Sequence, residues 1–327
     1  MRPSTMGQNH FTMTRNVGRV TRWLLDGDAA IRWQVLRDLL GATEGTVKLE
    51  RTKVTREGWG ARLLARQDPG GTWGGGLYNP KWSSTTYTML LLRDLGLLPS
   101  NVQARRACLL LLDHGLQRDG GINFGQADQS ETCITGMVLS IVSYFQCDDE
   151  ALDTIANHLL GQQMYDGGWN CQRWRGATHA SVHTTINVLE GLRQYELHRP
   201  RKIGEVCSAQ ERGREFLLVH RLFRSHRTGR IIKPEFIRFS FPPRWYYDIL
   251  RALDHFQAVN APCDHRLAEA IGIIRVRQQS DGRWLLQNRH SGKAYFELER
   301  LGAPSRWNTL RALRILKWWE RGSDAKD

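Results

Sequence analysis

One short segment recurs along this chain, and its recurrence limits what the chain can fold into. Gln67-Asp-Pro-Gly-Gly-Thr-Trp73 returns as Gln117-Arg-Asp-Gly-Gly-Ile122, as Gln163-Met-Tyr-Asp-Gly-Gly-Trp169 and as Gln279-Ser-Asp-Gly-Arg-Trp284. Gly71, Gly121 and Gly168 stand 50 and 47 positions apart, and the 114 positions from Gly168 to Gly282 leave room for two periods. A degenerate copy, Ser225-His-Arg-Thr-Gly-Arg230, falls between them. A period of this length marks one supersecondary unit used repeatedly, each copy burying its apolar face against the next.

Each copy lies between two stretches with apolar residues at helical spacing. Helices are predicted before the loops at about 51–66, 101–117, 150–163, 207–223 and 264–279. Others are predicted after them at about 82–95, 131–145, 180–195, 244–257 and 305–319, with one more at about 29–40. Glycine supplies the left-handed backbone needed just past a helix end, Asp favours the turn, and the aromatic packs against a helix hairpin. The expectation is an all-α chain forming a single domain over 1–327, an (α/α)6 barrel of inner and outer helices. A polar tail is expected at about 1–16, a basic insertion at about 199–206 and a second polar tail at about 321–327.

Composition narrows the function. No stretch of about 18 apolar residues exists to span a bilayer, and the N-terminus has no apolar signal core, so a cytoplasmic protein is expected. Six scattered cysteines with no CxxC pair imply no disulfide framework. The net charge of +13 concentrates in 199–233. It fits a solvated face, an acidic partner, a diphosphate-bearing substrate or peripheral contact with an anionic membrane surface. No nucleic-acid motif accompanies it, so no nucleic-acid partner is expected. Nothing in the sequence sets the oligomeric state.

The repeated Gln-x-x-Asp-Gly-Gly-Trp resembles the repeat shared by squalene–hopene cyclases and protein prenyltransferase β subunits, over roughly 50–320. That resemblance implies the closed α/α barrel. The cyclase branch uses an Asp-x-Asp-Asp acid, which this chain lacks; Asp148-Asp149-Glu150 reads as a helix cap. The prenyltransferase branch holds zinc through Asp-x-Cys at the start of one inner helix and a His at the start of the next. By that resemblance Glu131, Cys133 and His183 take the metal positions, and Cys171 on the preceding loop is an additional ligand. Thiolate, imidazole and carboxylate are ordinary zinc donors. His179, one turn before His183, reads as a supporting or substitute ligand. The basic residues that hold diphosphate in that branch are replaced by Gly125 and Asp128.

Aromatic residues crowd the starts of the predicted inner helices, and Trp82, Tyr87, Trp169, Trp245, Tyr247 and Trp307, with Arg244, are the expected substrate-binding residues. Such a lining suits a hydrophobic small molecule, terpenoid-like by family. Asp248, His179 and Tyr246 are the candidate proton carriers. The leading expectation is a zinc-dependent enzyme of transferase, cyclase or lyase type. Two others stand beside it: a ligand-binding or scaffold barrel with structural zinc, and a metal-free cyclase whose acid is Asp248.

Overall fold

The computed structural model describes residues 18–125, 129–200 and 204–324. The expected tail at 1–16, residues 201–203 of the expected insertion, and residues 325–327 lie outside the described residues. Residues 321–324, read from sequence as part of a tail, continue the last helix.

The described chain is all-α apart from one two-stranded ribbon, β1 (Trp284–Leu285) paired antiparallel with β2 (Pro304–Ser305). Helix α1 covers 18–25. α2 (Ala29–Gln34) runs on as a π-turn to Leu39, and α3 (Glu44–Thr52) and α4 (Gly58–Leu64) follow. Three pairs come next: α5 (Thr85–Leu95) with α6 (Val102–Gly115), α7 (Thr132–Tyr144) with α8 (Asp149–Gly161), and α9 (Val182–His198) with α10 (Gly204–Val219). α11 (Ile249–Ala258), α12 (Ala268–Val276) and α13 (Arg306–Asp324) complete the order.

The repeated segment works as one device. In three copies a fully buried tryptophan donates its indole N–H ten residues back, to the outer helix it follows: Trp73 to Leu63 O, Trp169 to Leu159 O and Trp284 to Ile274 O. The backbone N–H at that position, or at Ile122 in the second copy, is accepted by a threonine of the next inner helix: Thr85, Thr135, Thr185 or Thr309. The glutamine closes its own turn and reaches the neighbouring outer helix, as Gln163 does to Gly167 O and Ala209 O. Gly71, Gly120, Gly167 and Gly282 stand at φ between 84° and 96°. A side chain there would be strained, and at Gly167 a Cβ would meet Arg212 O at 2.6 Å.

The inner helices neighbour one another in a cyclic order. α5 packs on α7, α7 on α9, α11 on α13, and α13 returns to α2. Trp33 and Gln34 of α2 bond to the carbonyls of Leu95 and Asp94 on α5. Asn187 and Glu190 of α9 bond to Trp245 O and Arg251 at the start of α11. Gly136 and Gly191 bring α7 and α9 so close that a Cβ on either would meet the other's backbone at 2.5–2.8 Å. Between the inner helices, largely buried charges are paired: Arg93 with Asp94 and Glu190, Arg251 with Glu190, Arg311 and Arg314 with Asp254. Their N-termini all lead in from the loops that carry the candidate site.

Candidate functional site at the N-terminal ends of the inner helices

The segment Phe241-Pro-Pro-Arg-Trp-Tyr-Tyr-Asp248 folds inward ahead of α11. Its Tyr246 ring lies between two others, stacked on Trp245 at 4.0 Å and on His290 at 4.0 Å. Trp82 meets Tyr246 and Tyr87 edge-on and fixes its indole N–H on Ser291 O. Beside this cluster opens a cavity of about 400 Å³, within the range that ordinary ligand sites occupy. Trp82, Phe241, Arg244, His290 and the loop of 291–299 line it.

Several polar groups here lack partners. Among the described residues the Arg244 guanidinium faces no carboxylate within ion-pair distance; burial pulls it down to about 10. Its backbone sits at φ 58°, a region that non-glycine residues seldom occupy. Lys81 is also without an acidic partner among the described residues, its ammonium 5.4 Å from the Tyr78 ring and 5.9 Å from that of Trp245. His290 Nε2 and Trp245 Nε1 are buried with no hydrogen-bond partner. The Tyr87 hydroxyl, buried against Tyr78, makes no well-formed bond, and burial raises its pKa. Burial, with Arg244 and Arg251 nearby, lowers His290 to about 4, so its ring is neutral at physiological pH. Orphaned buried polar atoms are rare in folded proteins, and a cluster of them is open to hydrogen bonding by water, an ion or a ligand.

The metal set expected from sequence does not assemble. Among the described residues, no group of three or more His, Cys, Asp or Glu side chains is placed to hold a metal ion. Cys133 and Cys171 do meet: the Cys133 N–H donates to Cys171 Sγ at 3.2 Å, and Thr184 Oγ1 lies 3.3 Å from the same sulfur. Their shared hydrogen bond lowers the Cys171 thiol and raises that of Cys133, and the Glu131 charge acts on both. His183 is turned to other work. Its Nδ1 accepts the Tyr247 N–H at 3.0 Å, which in the neutral ring leaves the proton on Nε2 and no lone pair there for a metal. Phe236, Trp245 and Tyr246 wall its ring, and burial lowers it to about 4. His179 is exposed, between Thr178 and Arg227. As placed, these residues do not fit the expected zinc centre.

Other expectations are redirected too. Asp248 caps α11, accepting from Arg251 N, Ser240 N and Ser240 Oγ, so both its oxygens are spent on structure. Trp169 is sealed in the core with its indole N–H satisfied, and Tyr247 is buried with its hydroxyl on Leu222 O. Neither reaches the cavity. Trp307 stacks on Phe241 at 4.1 Å, behind the cavity wall. Trp82 and Arg244 line the cavity, while Tyr87, Trp245 and Tyr246 belong to the aromatic cluster packed behind Trp82 and His290. Gly125 is exposed, and Asp128 lies outside the described residues.

Sequence reasoning missed His290. It stands on the long connection from Trp284 to α13, which spans 22 positions where Trp73 to α5 spans 12. That excess length was the available signal, since long loops on a regular scaffold carry function disproportionately.

No family model matches this chain, and no curated protein matches it in sequence. Two solved structures are similar in the path of the chain. A protein from Actinoplanes has a TM-score of 0.50 at 14% identity, covering 94% of this chain and 99% of that one. The type II terpene cyclase MstE_D109N from Scytonema, in complex with its substrate geranylgeranyl dihydroxybenzoate, has a TM-score of 0.49 at 14% identity, covering 94% and 97%. At that identity a likeness speaks to fold and not to chemistry.

Proposed function

We propose that the chain is an (α/α)6 barrel enzyme whose mouth cavity takes up a hydrophobic, terpenoid-like molecule carrying an anionic group. The observation that carries this reading is the unpaired Arg244 guanidinium, set among aromatic faces and orphaned polar atoms on a cavity of about 400 Å³. An unpaired buried cation is costly, and an anionic ligand relieves that cost. Trp82, Phe241 and Phe296 on the cavity wall supply apolar area and ring faces for a bound molecule. His290, neutral and with Nε2 unpartnered, offers a bound molecule an uncharged hydrogen-bonding group at neutral pH. The cyclic order of inner helices supports the closed barrel, and no step is assigned to zinc.

The loops around this mouth carry Trp174, Ile231 and Ile232, all exposed, interleaved with Arg173, Arg175, Arg227, Arg230 and Lys233. The Arg227–His179 contact brings the two loops together. Basic residues alternating with exposed apolar ones suit peripheral contact with an anionic membrane surface, where such a substrate would concentrate.

The test compares a prenyl carboxylate with the prenyl alcohol of equal chain length, followed by quenching of tryptophan fluorescence. The carboxylate should bind at least tenfold tighter, and Arg244→Met should abolish that preference while raising the melting temperature. Equal binding of acid and alcohol would overturn the anion clamp. Mass spectrometry of the bound molecule then separates turnover from storage: an unchanged ligand after prolonged incubation would favour a receptor.

A further inference from the structure

We infer that the barrel holds a second ligand site deeper among its inner helices, towards their C-terminal ends, an arginine-lined cavity that binds a small multivalent oxyanion of phosphate or diphosphate type. The cavity measures about 510 Å³; the C-terminal halves of α2, α5, α9 and α11, Tyr144 of α7, and Arg311 and Arg314 of α13 line it, and it extends inward to Arg251, Phe241 and Trp307. Seven arginines face it against four carboxylates. Five of the seven have an acidic partner among the described residues. Arg51 and Arg193 do not. Arg51 bonds to Gly96 O and the Tyr144 hydroxyl, and Arg193 bonds to Ala258 O.

Helix C-termini are electronegative, so arginines gathered there have an ordinary explanation as caps for carbonyl groups. That explanation accounts for one N–H of Arg193. A guanidinium has five, in a planar fork suited to two oxygens of one anion. His255 supplies an independent sign. Its side chain is 4% exposed, it borders the same cavity, and its Nε2 has no hydrogen-bond partner. Carbonyl capping gives no reason for an orphaned imidazole nitrogen beside an unpaired guanidinium. An oxyanion explains both, accepting from Arg193 and from His255 Nε2–H while balancing the cationic excess. Burial and the Arg193 charge hold His255 neutral, so no second cation has to be neutralised before the anion arrives.

Inorganic pyrophosphate, inorganic phosphate and glycerol 3-phosphate are titrated calorimetrically into the purified full chain, in low-salt buffer free of phosphate. Saturable binding at one equivalent is expected. A preference for pyrophosphate or phosphate identifies a free anion, and a preference for glycerol 3-phosphate identifies a phosphate ester. Arg193→Gln should weaken binding at least tenfold, while Arg118→Gln, an exposed arginine elsewhere, should leave it unchanged. If Arg193→Gln does not fold, the side-chain nitrogen resonances of His255 are followed in the unaltered protein and should shift on titration. Absence of saturable binding, or a His255 signal that does not move, would overturn the site and leave a water-filled ion-pair network. Binding lost in Arg244→Met but kept in Arg193→Gln would place the anion at the mouth and equally overturn it.

Discussion

Acidification from pH 7 to pH 5 should destabilise this protein strongly, because three of its histidines are folded into places that exclude their charge. Burial is the first cause at each: it lowers His183 and His290 to about 4 and His255 to about 3, with cations nearby adding to the effect. A histidine whose folded pKa lies below its unfolded one contributes stability above the unfolded value of about 6.5, and that stability is lost as pH falls towards the folded value. At pH 5 the unfolded ring is almost fully protonated while the folded ring remains mostly neutral. The difference is roughly 2 kcal/mol per residue, against a few tenths at pH 7. Three residues together give ~5 kcal/mol, slightly reduced because His183 and His290 are part-exposed. That is comparable to the whole stability of many domains. The depressed carboxylates, such as Glu190 at about 2, lose their contribution only below the ordinary carboxylate range. Glu299, raised by burial, opposes the trend slightly. The window is therefore pH 6.5 to about 4. Urea denaturation in phosphate-free buffers at half-unit steps measures it, through the midpoint at constant slope. His255→Gln should remove about a third of the pH dependence. A midpoint unchanged or higher at pH 5 would refute the reasoning, since it would mean these rings are protonated or solvated in the fold.

Three further outcomes follow from particular contacts. Asp248→Ala should cost about 2 kcal/mol by leaving the first turn of α11 and Ser240 without their acceptor, read as a lowered melting temperature. Glu190→Ala should cost roughly 3–5 kcal/mol in denaturant unfolding, because Arg251 loses its carboxylate and Arg93 one of two. Sedimentation with phosphatidylserine vesicles should capture the protein at low salt and release it at high salt, and Trp174→Ser with Ile231→Ser should weaken capture; salt-independent binding, or equal binding to neutral vesicles, would contradict the basic rim.

The spacing of the Asp-Gly-Gly loops was enough to place most inner and outer helices to within a few residues, because a helix end, a left-handed glycine and an aromatic plug are local requirements written in local residues; the helix expected at about 51–66 is instead split between α3 and α4, and α1 was not among the expected helices. The same spacing put Cys133 and His183 at matching points of adjacent inner helices, with Cys171 on the loop before the second, and the structure brings the two cysteines together. What each side chain does there was settled by groups distant in sequence. His183 is claimed by the backbone of Tyr247 64 positions on, and Asp248 is spent on capping its own helix. Trp169 and Trp82 are both tryptophans near inner-helix starts, yet one is sealed in the core and the other lines the cavity. His290 reaches the mouth on a connection ten positions longer than the one that follows Trp73. Periodicity determines which elements form and in what order, because those energies are local. Which polar atoms are left unpaired, and so where a ligand is wanted, depends on contacts that exist only once the chain has packed.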